Sequence, residues 1–140
     1  MRASGVKTAI VSAIEGITPD SNVGGESFVH IDLGGREPGA IAERAFVVEL
    51  TAVHRSDLIT LDCQVVDYAV TTFFHSYEGV ETRLAEDAEQ MIKAVTRLHQ
   101  QEADLYAVEF DAVDVTPSRS MDGMLEASLT LSVTYRRTGV

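Results

Sequence analysis

"MLEASLTLSVTYRR" (124–137) decides how the rest of the chain is read. From Leu125 to Tyr135 apolar and polar residues alternate, with Leu125, Ala127, Leu129, Leu131, Val133 and Tyr135 set against Glu126, Ser128, Thr130, Ser132 and Thr134. Successive side chains of an extended chain leave opposite faces, so the pattern predicts a half-buried β-strand. Strands commonly run about 5–6 residues. At roughly 3.4 Å per residue this one reaches about 40 Å, whereas a chain of 140 residues packs to a radius of gyration of about 14 Å. Such a strand crosses the whole domain or projects beyond it, and sharing it with a neighbouring copy is one way to account for its length.

Upstream, "LYAVEFDAVDV" (105–115) alternates Tyr106, Val108, Phe110 and Ala112 against Glu109 and Asp111, and "TPSRSMDG" (116–123) is a turn-rich connection, so the chain ends in a hairpin. Before it, residues 81–99 form the best helix, with Leu84, Ala88, Met91, Ile92, Val95 and Leu98 in one core-facing stripe. Its acids (Glu81, Glu86, Asp87, Glu89) crowd the first half and Lys93, Arg97 and His99 the second, which complements the helix dipole. Glu89 and Lys93 add an i,i+4 pair. "AFVVELTAVH" (45–54), with Phe46, Val48, Leu50 and Ala52 on one face, and the β-branched stretch 61–75 predict a second antiparallel hairpin turning at 55–57. At the start, Val6, Ile10, Ala13, Ile14 and Ile17 give a short amphipathic helix stopped by Gly16 and "TPD" (18–20). The glycine-rich segment 18–44 is expected to be irregular, with one weak strand at 28–33. The order helix, weak strand, hairpin, helix, hairpin predicts one α+β domain over 1–140, an antiparallel sheet of two long hairpins with two helices packed on one face.

Composition narrows the function classes. The 45% hydrophobic content supports a packed core. A formal charge of −11 disfavours wrapping a nucleic-acid backbone or an anionic membrane and suits a basic partner surface. No stretch approaches the roughly 20 apolar residues of a membrane span, and Ser4, Lys7, Thr8, Ser12 and Glu15 interrupt the N-terminal apolar run too often for a secretory signal. A soluble protein made inside the cell is the expectation. The single cysteine, Cys63, excludes an internal disulfide and reads as a small core residue.

A search for chemistry finds little. His30, His54, His75 and His99 include no pair at metal-binding spacing. His30 with Asp32, and His75 near Glu78 and Glu81, read as surface histidines beside acids rather than chelates. "GGREPG" (34–39) lacks phosphate-loop spacing, no nucleophile elbow occurs, and Asp57, Asp62 and Asp67 do not follow a calcium-loop pattern. Phe73, Phe74 and Tyr77 read as core aromatics rather than base-stacking platforms. No catalytic residue, cofactor or metal is therefore expected. Long hairpins that two helices cannot fully cover point instead to assembly.

The element order, carried by "VKTAIVSAIEGI", "RAFVVELTAV", "CQVVDYAVTTFF", "EDAEQMIKAVTRL" and the closing "LEASLTLSVTYRR" with its V-T-Y tripeptide (133–135), resembles the tail terminator proteins of long-tailed bacteriophages, the lambda-like group. The resemblance spans nearly the whole chain and rests on pattern, not on a diagnostic motif. It implies a non-enzymatic virion protein of the tail neck, assembled in the bacterial host cytoplasm. Such a protein forms a hexameric ring that caps the tail tube, stops its polymerisation and joins it to a head-closure protein, with DNA only as passing cargo in the channel. No binding residue carries over by motif. Candidate contact residues come instead from the loops expected at the sheet ends: Arg36, Arg44, Arg55, Asp57, Arg119 and Asp122, as inter-subunit ion-pair partners. The alternatives are another neck component, such as a head-closure or tail-completion protein, or a small ligand-binding or enzymatic α+β domain. A pocket near His75 and Glu78 and a monomeric state would favour the last.

Overall fold

The computed structural model describes residues 2–19, 27–31, 44–54, 63–75, 79–117 and 124–137. Along these the chain forms α1 (Ala3–Glu15), β1 (Val29–His30), β2 (Ala45–His54), β3 (Cys63–His75), α2 (Val80–Thr96), α3 (Leu98–Gln101), β4 (Leu105–Pro117) and β5 (Met124–Arg136). The sheet order is β1-β2-β3-β5-β4. The two hairpins β2–β3 and β4–β5 lie side by side and are joined antiparallel through β3 and β5, while β1 adds two parallel pairings at the start of β2. The fold is α+β, as the alternating and helical periodicities predict.

The long terminal strand sits in the interior of the sheet. It pairs with β3 from Cys63↔Arg136 to His75↔Met124 and with β4 from Leu105↔Tyr135 to Pro117↔Leu125. Both its edges are satisfied within the chain, which corrects the expectation that its length reflects sharing with a neighbouring copy. It is long because its partners are equally long. The outer strand β4 carries register shifts after Leu105 and after Phe110, a terminal proline, and Glu109, Asp111 and Asp114. Bulges, charge and proline all discourage strand addition.

Period two divides the sheet into unlike faces. Val66, Tyr68 and Val70 of β3, Leu129, Leu131, Val133 and Tyr135 of β5, and Phe46 and Val48 of β2 form the main core with Val6, Ile10 and Ile14 of α1, Met91 and Val95 of α2, and Leu98 of α3. Phe74 and Ala127 continue this face against Val80 and Leu84. Tyr68 ties α1 to the sheet by donating to the Ala3 carbonyl at 2.8 Å. Burial, then the neighbouring Tyr135, pushes the Tyr68 phenol above its ordinary pKa. Entry into α2 uses Gly79 at φ +88, a left-handed turn that glycine adopts without a Cβ penalty.

Two bulges alter the faces expected from simple alternation. Phe46, Val48 and Leu50 share a face, but the shift between Leu50 and Ala52 places Ala52 opposite Asp67 and Val53 opposite Val66. Ala52 therefore changes sides, and Leu50 and Val53 stay about half exposed (49% and 54%) beyond the helix layer. Tyr106 of β4 falls at the first bulge and is likewise 48% exposed.

Candidate functional site: the open face of the sheet

The face opposite the helices is built from the other half of each alternation. Its inner strands present Val65, Asp67, Ala69 and Thr71 from β3 beside Ser128, Thr130, Ser132 and Thr134 from β5, register partners in consecutive open-face pairs. The outer strands add Glu49 of β2 opposite Ala69, and Glu109 and Asp114 of β4 opposite Ser132 and Ser128. Glu126 pairs with Phe73 nearer one end. At that end the face is closed by a small apolar cluster of Ile31, Ala45, Val47, Phe73 and Met124. The rest is a hydroxyl-rich track, interrupted by Val65, Asp67 and Ala69, with further carboxylates on its flanks.

Local hydrogen bonds hold the track in place. Thr71 and Ser128 share a hydrogen bond of 3.1 Å across the central strands. Asp67 organises the middle: Ser132 Oγ donates to Oδ1 at 2.5 Å, and His54 Nε2 lies 2.6 Å from Oδ2. The Ser132 hydroxyl, and then the His54 ring, hold the Asp67 carboxyl below its usual range. The carboxylate, not the imidazole, stands between the other two groups. Activating a serine needs the imidazole in that middle place, so the cluster is a brace for β2, β3 and β5.

The loop candidates fare differently from one another. Arg36, Arg55, Asp57, Arg119 and Asp122 lie outside the described residues, as do Asp32, Tyr77 and Glu78. Arg44, expected on a projecting loop, is fully buried, which corrects its assignment as a surface ion-pair partner. Its Nε and Nη2 reach Asp87 Oδ2 and Oδ1 at 2.7 and 3.1 Å, and its guanidinium carbon lies 5.7 Å from the Phe28 ring centroid. The residue sits at φ +62, its N–H donates to the Phe73 carbonyl, and its own carbonyl accepts from Val29. One residue thus fastens β1 and the end of β3 through its backbone and α2 through its side chain. The sequence signal for this was Asp87 itself, an acid three residues after Leu84 and four before Met91, on the helix stripe that faces the core.

Two open grooves flank α1. One, about 370 Å³, lies between the end of α1 and Gln90, Lys93 and Arg97 of α2; the other, about 490 Å³, separates Ser4, Gly5 and Thr8 from Leu98, Gln101 and Glu102. Neither contains His75. Phe73, Phe74 and Cys63 are buried. Among the described residues no group of three or more His, Cys, Asp or Glu is arranged to hold a metal, and no helix is long and apolar enough to cross a membrane. No known family model matches the chain, and no curated protein matches its sequence.

Proposed function

We propose that the chain is a structural assembly protein of the tail-terminator kind. Copies of it form a ring that caps a tail tube, stops its polymerisation and joins it to a head-closure protein in the virion neck. The observation that carries this reading is the sheet's asymmetry. Strands of 10 to 13 residues are covered by helices on one face, while the other presents hydroxyls flanked by carboxylates. A long, polar surface of this kind suits contact with another protein better than enclosure of a small molecule, which calls for a concave and mostly apolar pocket. The order helix, weak strand, hairpin, helix, hairpin supports the same reading, because it is the order the family resemblance implies. In a ring, an excess of 22 acids over 11 Lys and Arg suits a channel that lets DNA pass without holding it, since like charges repel.

The test uses the tail-tube protein encoded in the same genome. Polymerised with this chain present, it should give shorter tubes with a cap at one end in electron micrographs. Tubes of unchanged length with bare ends would overturn the reading.

A further inference from the structure

The two outer strands of the sheet are guarded unequally. On β4, the register shifts, the terminal proline and Glu109, Asp111 and Asp114 protect the edge. On β2, the neighbouring β1 reaches only Ala45 and Phe46. Ile31 N–H donates to the Phe46 carbonyl at 2.9 Å, and the alternation of an extended chain turns the same backbone groups of Val48 and Leu50 to that side. Among the described residues nothing pairs with this side of β2 beyond Phe46. The strand contains no lysine, arginine or proline, and Glu49 is its only carboxylate. Glu49, Leu50, Thr51, Val53 and His54 are exposed, and Ala52 partly so. The bulge gives this stretch an unusual pattern. Leu50 and Val53 lie opposite Tyr68 and Val66, on the helix side, whereas Glu49 and His54 lie opposite Ala69 and Val65, on the open side.

We infer that this edge pairs with the same edge of a second copy, the two β2 strands running antiparallel about a two-fold axis between Thr51 and Ala52. That register sets Leu50 opposite Val53 of the second copy and, by symmetry, Val53 opposite its Leu50. The same register sets Glu49 opposite the second copy's His54, whose ring already meets Asp67 through Nε2. Apolar side chains thus meet on one side of the joined sheet, and acid meets imidazole on the other. A register centred on Glu49 would instead oppose two carboxylates, which is unfavourable. The pairing extends the sheet through its backbone groups, as strand addition does elsewhere. The edge is short beside a standard interface of about 1,200–2,000 Å², so the dimer is weak and forms with rising concentration. It stands apart from the ring reading, since an isologous pair needs no ring to close.

Lysine substitution tests the edge. Leu50→Lys and Val53→Lys alter exposed side chains, and thermal unfolding checks that each variant remains folded. Light scattering over a range of concentration should show each raising the dissociation constant of the dimer by about tenfold or more. Cross-linking reads the register. An oxidised mixture of Leu50→Cys and Val53→Cys proteins should give disulfide-linked dimer faster than either protein alone, the native Cys63 being buried in both. Self-association unchanged by both lysines, or cross-linking no faster in the mixture, overturns this pairing and leaves the ring reading standing. Variants that self-associate normally but fail to bind the tail-tube protein would assign the edge to that partner and also overturn it. A dimer with these properties that leaves tail tubes uncapped defeats the ring reading and supports this one. A wild type that stays monomeric at every concentration overturns the pairing.

Discussion

The two faces of this sheet are made by the same four strands and obey different rules. Leu131 is fully buried under the helices and Thr130, its neighbour, stands half-buried on the open side. On the covered face packing governs most positions; the Arg44–Asp87 pair is fully buried and bidentate, and α2 also buries Arg83. On the open face the described side chains are mostly small, hydroxylated or acidic, with Val65 and the cluster at one end as apolar exceptions. Folding requires the first face to be as it is. The second is less constrained by packing, apart from the hydrogen bonds of Asp67 and of Thr71 with Ser128, so its pattern is where function is to be sought.

The contrast can be broken most severely at the ion pair. Arg44→Ala or Asp87→Ala should each cost about 3–5 kcal/mol, because the remaining charge stays buried without its partner. Urea unfolding would measure this, and a double change to apolar residues of similar size should recover much of the loss. A cost below about 1 kcal/mol for either single variant would mean that water reaches the pair. Next come the neighbours in β5. Leu131→Ala should cost about 2–5 kcal/mol, whereas Thr130→Ala should stay within about 0.5 kcal/mol; equal costs would abolish the distinction between the faces.

A smaller effect, of about 1 kcal/mol, is expected for Tyr68→Phe, which removes the bond to the Ala3 carbonyl. Because the folded Tyr68 phenol has a raised pKa, its contribution is complete below the unfolded value near 10 and is lost as pH rises through the folded one. The variant should therefore show a shallower decline in stability on the alkaline side. The smallest effect belongs to Asp67 on the open face. Its folded pKa is lowered, so its contribution is present above about pH 3.9 and is lost as pH falls through the folded value. Denaturant titrations between about pH 5 and 2 should show Asp67→Asn flattening the acid limb. An unchanged limb would mean that Ser132 and His54 do not hold the carboxylate in solution.

Much of this asymmetry is legible in the chain. The strand 45–54 coincides with its predicted range, and the alternation of 125–135 assigns each residue of β5 to its face. Alternation states which face a side chain occupies but not which strand lies beside it, so the central place of β5 emerges only when the hairpins are joined. The bulge after Leu50 reverses the phase of β2 without a glycine or proline to announce it. Arg44 and Asp87 are 43 residues apart, and no local periodicity links them. The open face was visible as polar residues in the strand patterns.

The most direct test of the account is the solution mass of the wild-type protein, by light scattering on a size-exclusion column over a wide range of concentration and salt. The account predicts a mass that rises with concentration to a plateau at a closed multiple of the protomer, six where the family resemblance holds. A monomer at every concentration and every salt, unmoved by added tail tubes, would contradict it.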